Sequence, residues 1–209
     1  MSHPAMSMKV QAVCSEIFWV ARLNLLWIVF TLLGGVVLGL GPATVAAYTL
    51  ARRHHRHESF QVWAAFWSVY RREFVRASLL VLPLVLAATV LAGNYLYLSA
   101  LGSGAGALRA VTYVALVALA AVGAYLGPLY VHYELPLWGY IPKASLLALT
   151  RPASTVLLLF VLAAIVFAAT TVPALAPLVS VGAWIYLNTW LCLRFFAENE
   201  ARLLAKGNS

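Results

Sequence analysis

Apolar residues run almost unbroken through five stretches of this chain, and polar residues gather in the connections between them. The stretches are Leu23 to Leu40, Ala77 to Ala100, Ala107 to Tyr130, Thr155 to Val172 and Leu178 to Phe196. A hydrocarbon core roughly 30 Å thick is crossed by about 20 helical residues, and every backbone polar group inside it must be paired internally. The pattern therefore predicts an all-α, polytopic membrane protein with five transmembrane helices, forming one membrane domain over residues 1–209. Residues 1–22 place Glu16 and Arg22 around the short apolar run Ile17 to Val20, which is unlike a signal peptide. They are expected to form an interfacial helix at the N-terminus of the mature chain.

Outside the spans, Phe60, Trp63, Trp67, Tyr70 and Phe74 recur at intervals of three and four, with Arg71, Arg72 and Glu73 near the end of the run. That spacing predicts an amphipathic helix, and its aromatic and basic content suits a position flat on the cytoplasmic interface. Two readings stand side by side: a structural collar joining two spans, or a surface of Trp63, Trp67, Tyr70, Arg71 and Arg72 that meets lipid headgroups or a partner.

The first and third spans each run into Gly-Pro, at Gly41–Pro42 and Gly127–Pro128. Glycine relaxes backbone constraints and proline removes a donor, so a kink or restart is expected at each pair, in the first and third helices alike, with a new helix able to begin at Pro42. In both places a polar segment follows, then a basic residue and Ser opening the next span. Together these marks suggest a parallel repeat of residues 23–100 and 107–172, with the fifth span added.

Charge then orients the chain. Of the fourteen Lys and Arg, Arg52, Arg53, Arg56, Arg71, Arg72, Arg76, Lys143, Arg151, Arg194, Arg202 and Lys206 fall on one set of connections, leaving Lys9, Arg22 and Arg109 for the other. Positive residues are retained in the cytoplasm, so the N-terminus is expected outside and the C-terminus inside the plasma membrane. The net charge of +8 is then a matter of topology and of attraction to anionic lipids on the cytoplasmic side, and nucleic-acid binding is not expected. With 64% apolar and 10% charged residues and a mean hydropathy of +0.90, the bilayer is the expected solvent.

The segment from Asn24 to Arg53, NLLWIVFTLLGGVVLGLGPATVAAYTLARR, and FWSVYRREFVRASLL from Phe66 to Leu80 resemble the YesL-like family of small bacterial membrane proteins, which carry a domain of unknown function. The resemblance implies a multi-span protein often encoded beside carbohydrate ABC importers, with a part in sugar uptake or use. It supplies no catalytic or ligand residue.

Chemistry is sparse. The chain has no Asp, and its six acids, all Glu, are scattered apart from Glu198 and Glu200. Membrane enzymes acting on phosphoryl or glycosyl groups need clustered carboxylates, so no enzyme activity, metal or cofactor is expected. His54, His55 and His57 crowd one basic loop and make a poor ligand set. Among polar residues within spans, Asn24 and Asn188 stand out, as helix contacts or as ligand contacts. Glu134, at the edge of the third span, either pairs with Arg76 or Arg151 or serves a solute. The expected function is an accessory or partner subunit in solute uptake, with ABC importer subunits as partners; the alternative is an independent small-solute carrier or channel.

Overall fold

The computed structural model describes residues 4–172 and 176–207, and among these every regular element is helical. The helices are α1 (Pro4–Leu33), α2 (Val37–His55), α3 (Val62–Ala100), α4 (Gly106–His132), α5 (Tyr140–Thr150), α6 (Pro152–Thr171) and α7 (Val181–Gly207). A π-type turn, Ala176–Ser180, leads into α7. Five segments are long and apolar enough to cross a bilayer: Val13–Leu33, Val62–Ala100, Gly106–His132, Pro152–Thr171 and Pro177–Phe195. The chain is a multi-pass, all-α membrane protein.

The first span differs from the expectation. It does not run from residue 23 to 40 behind a separate interfacial helix, because α1 is continuous from Pro4 and stops at Leu33. Gly35 takes φ +73°, its N–H reaches the Leu32 carbonyl at 3.0 Å, and the Val36 N–H reaches that of Thr31 at 2.9 Å. This is the paired bonding by which glycine in the left-handed region closes a helix C-terminus. Val36 follows at φ 63° and ψ −68°, and its neighbours close a three-residue turn, Val37 N–H to the Gly35 carbonyl at 2.8 Å. The chain then folds back as α2. Trp27 Nε1 donates to Thr44 Oγ1 at 3.0 Å, and Trp19 stacks on His54 at 4.2 Å between ring centroids. The pair is an antiparallel hairpin, so the N-terminal end of α1 lies beside the C-terminal end of α2.

Gly41–Pro42 and Gly127–Pro128 are therefore not helix breaks; both pairs lie inside helices, the first near the start of α2 and the second near the end of α4. A proline within a helix leaves the carbonyl four residues earlier without its donor. Here each orphan has a replacement from another helix. Asn188 Nδ2 of α7 donates to the Ala124 carbonyl at 2.9 Å, and Ser78 Oγ of α3 shares its one proton between the Leu38 carbonyl at 2.9 Å and the Phe74 carbonyl of its own helix at 2.7 Å. The glycines serve close approach instead. A Cβ on Gly41 would sit 2.7 Å from the Ala77 carbonyl oxygen, and one on Gly127 2.3 Å from the Tyr48 ring.

The amphipathic segment is likewise no separate interfacial helix, because it forms the first half of α3, a single helix of 39 residues. Its aromatic side is turned onto α1, where Phe30 lies 5.2, 4.7, 5.8 and 5.1 Å from the rings of Trp63, Phe66, Trp67 and Tyr70. Buried small residues fill α2, among them Gly39, Gly41, Ala43, Ala46, Ala47 and Ala51. They let α1, α3, α4 and α7 close around it, as small residues do between membrane helices. Beyond α2, α3 and α4 run antiparallel, with Asn94 Nδ2 on Thr112 Oγ1 at 3.2 Å. α7 lies antiparallel to α1, with Tyr186 beside Glu16 and Gly182 beside Asn24.

Candidate functional site

A cavity of about 970 Å³ opens where α2, the middle of α3, the end of α4 and the following loop meet. Five arginines line it, Arg52, Arg53, Arg56, Arg72 and Arg76, against three glutamates, Glu58, Glu73 and Glu134. Helical spacing explains part of this, since positions 49, 52, 53 and 56 share one face of α2 and 72, 73 and 76 one face of α3. The loop wall is fixed by Tyr140, whose hydroxyl accepts from the Leu135 N–H at 3.1 Å and donates to the Tyr133 carbonyl at 2.9 Å.

The charges are unequally engaged. Arg53 Nε pairs with Glu58 at 2.8 Å and Arg72 Nε with Glu73 at 2.9 Å, while Tyr130 donates to the other Glu73 oxygen at 2.7 Å. Arg76 gives Nη2 to the Leu135 carbonyl at 2.8 Å. Arg52 gives one Nη to the Val131 carbonyl, but its Nε is buried with no acceptor. Burial, and then the neighbouring Arg56 charge, draw the Arg52 pKa below the ordinary guanidinium value. Among the described residues, no carboxylate pairs with Arg56 or with Arg52. Glu134 is exposed on the rim and makes no ion pair among the described residues, so neither expected partner, Arg76 or Arg151, holds it.

Asn24 and Asn188 are fully buried and are not brought into this cavity. The Asn24 amide donates to the Pro177 carbonyl at 2.6 Å and accepts from the Gly182 N–H at 2.9 Å. It thereby bridges two backbone groups five residues apart at the π-type turn, a place where the regular ladder of α7 is interrupted. Asn188 donates to the Tyr48 hydroxyl at 2.7 Å as well as to Ala124, and its oxygen accepts from the Cys192 thiol at 3.3 Å. Both amides are thus occupied by helix contacts. Of the aromatic and basic set on α3, Trp63 and Trp67 remain exposed, Arg71 sits 5.4 Å from the Trp67 ring, and Tyr70 is buried. Arg72 alone of that set reaches the cavity.

His54 and His55, in the last turn of α2, have different partners. His54 meets Glu16 at 3.1 Å and His55 meets the Tyr186 carbonyl at 3.2 Å, and no group of three metal-ligating side chains occurs among the described residues. What sequence reasoning missed is the cavity itself. Arg52 and Arg56 were legible as a basic connection, but only the return of α2 alongside α3 and α4 gathers them with Arg76 and Tyr130.

A helical bundle with apolar flanks and an arginine-lined opening defines a multi-pass membrane protein with a polar recess. Residues 20–95 match the family described as "Protein of unknown function, DUF624". The chain is similar to the uncharacterized protein YesV of Bacillus subtilis (strain 168), 32% identical over 191 residues, which are 90% of this chain and 92% of YesV. It is also similar to YesL of that organism, 30% identical with 69% of each chain covered, and to YteU, 28% identical with 87% of this chain and 82% of YteU covered. The chain belongs to the YesL-like DUF624 family. No solved structure matches it.

Proposed function

We propose that this chain is an accessory subunit of solute uptake in a bacterial cytoplasmic membrane, carbohydrate being the solute class implied by the family resemblance. In this reading it binds a partner, an ABC importer subunit, and does not conduct solute alone. One observation carries it: the two buried amides of the bundle, Asn24 and Asn188, are spent on holding helices. Asn24, Ser78 and Asn188 each bond the backbone of another helix or turn. Carriers place such groups toward a substrate near the midplane, commonly where helices are interrupted. Here both Gly-Pro pairs are closed by a side chain from another helix.

In the proposed orientation the arginine-lined end faces the cytoplasm, following the retention of positive residues there. The α1–α2 hairpin then brings the N-terminal end of α1 to the side of Arg52–Arg56, which replaces the outward N-terminus expected from a single span over residues 23–40. Affinity purification of the full chain from native membranes tests the function. A permease or ATP-hydrolysing importer subunit in near-equal amount is the expected result. Recovery of the chain by itself, or solute accumulation in liposomes containing this chain alone, overturns the reading.

A further inference from the structure

We propose that the arginine-lined cavity binds the phosphate of an anionic phospholipid, with an acyl chain of the same molecule lying in a second, apolar cavity that adjoins it. The inference stands apart from any role in solute uptake.

The first half of the argument is electrostatic. Arg52 lines the recess and gives one Nη to the Val131 carbonyl, and among the described residues no carboxylate lies within ion-pair distance of it. Arg56 lies beside it with no carboxylate partner among the described residues. Two guanidinium groups within one recess repel until an anion enters between them, and the planar guanidinium suits the oxygens of a phosphate. Glu58 is held by Arg53, though its charge also acts on Arg52, Glu73 is held by Arg72 and Tyr130, and Glu134 stands exposed on the rim. Five arginines against three glutamates leave the lining with an excess of positive charge.

The second half concerns the neighbouring space. A cavity of about 280 Å³ is lined almost wholly by apolar groups, including Trp27, Leu80, Leu84, Leu126 and Trp184. Val45 and Tyr130 belong to the walls of both cavities, so the two adjoin at those residues. Gly123 lies on the apolar cavity's edge and is exposed, between the buried Ala121 and Ala124 of the same helix. A charged recess joined to an apolar one matches an amphiphile better than a free anion. Phosphate from a soluble source shares the head-group chemistry but leaves the second cavity without an occupant.

The test uses the full chain, purified in a neutral detergent and titrated with phosphatidylglycerol, phosphatidylcholine or inorganic phosphate, with bound species counted by native mass spectrometry. One equivalent of phosphatidylglycerol is expected to bind about tenfold or more tightly than phosphatidylcholine, the scale of a hydrogen bond to a charged group. Arg56→Gln, at an exposed position, should remove most of that preference, and Arg52→Gln combined with it should remove the rest. Gly123→Leu tests the chain-binding half. A Cβ there meets nothing within 4 Å, so the variant folds while obstructing the apolar cavity, and phosphatidylglycerol should weaken where phosphate does not. Equal binding of the two lipids, or a preference untouched by both arginine substitutions, overturns the site. Phosphate binding that phosphatidylglycerol fails to displace assigns the anion to a soluble source and overturns the lipid.

Discussion

Replacing Asn188 by Leu is the sharpest probe of how this bundle is held together. The side chains share one branched outline of four heavy atoms, so the change leaves no cavity and acts on hydrogen bonds, with the bulkier methyls adding to the cost at this fully buried site. It removes bonds to Tyr48, Ala124 and Cys192. Side-chain hydrogen bonds between membrane helices average about 0.6 kcal/mol. The Ala124 carbonyl is then left buried and unpaired, at about 1–3 kcal/mol, while the Tyr48 hydroxyl keeps its bond with Trp184. A loss of about 1.5–3.5 kcal/mol is expected, read as a shift in the unfolding midpoint of the purified chain on titration of sodium dodecyl sulfate into neutral micelles. The cause can be isolated. Pro128→Ala restores an N–H four residues after Ala124, so that carbonyl regains a donor within α4. A double-mutant cycle of Asn188→Leu with Pro128→Ala should give a coupling of about 1–2 kcal/mol in the direction of rescue. Strict additivity, or an Asn188→Leu variant within about 0.5 kcal/mol of the natural chain, refutes the claim that Asn188 serves the proline-orphaned carbonyl.

Ser78→Ala should behave in the same way at the other pair, costing about 1–2 kcal/mol in the same titration and being partly rescued by Pro42→Ala. Gly41→Ala is expected to cost more than most alanine substitutions, about 1–3 kcal/mol, because the added methyl meets the Ala77 backbone and not a movable side chain. Val36→Gly should be neutral or stabilise by up to about 1 kcal/mol, since Val36 holds φ 63° where glycine bears no steric penalty. For topology, cysteines placed at Val10 and at His57 should both resist a membrane-impermeant thiol reagent in intact cells, while one at Gly104 reacts. Labelling at Val10 alone refutes the hairpin orientation.

Four of the five apolar stretches read from the sequence fall within the structure's long apolar segments, because α3, α4, α6 and the α7 segment present much of their surface to lipid and so carry its signature. The helix misjudged was α2, which begins at Val37, ahead of the start expected at Pro42, and returns along α1. It is encased by α1, α3, α4 and α7, so its surface needs small residues where lipid would demand large ones, and Arg52, Arg53, His54 and His55 close its last turn. Hydropathy therefore reads it as a connection. Gly41–Pro42 drew attention from Gly34–Gly35, although a glycine just past an apolar helix is itself a stop signal. Asn188 was legible as a buried amide of consequence, but its partner depends on Pro128, 60 residues away. The arginine recess has no local mark, since its members come from α2 and α3 and its wall from the loop after α4.

Proline-freed carbonyls that wait for a distant side chain also impose an order on biogenesis. α4 enters the membrane with Ala124 unanswered, and Asn188 emerges from the ribosome only after another 64 residues of chain have been made. Until then the half-built protein carries an exposed polar defect that quality-control proteases recognise, and products truncated before α7 should be degraded in the cell while the finished chain persists.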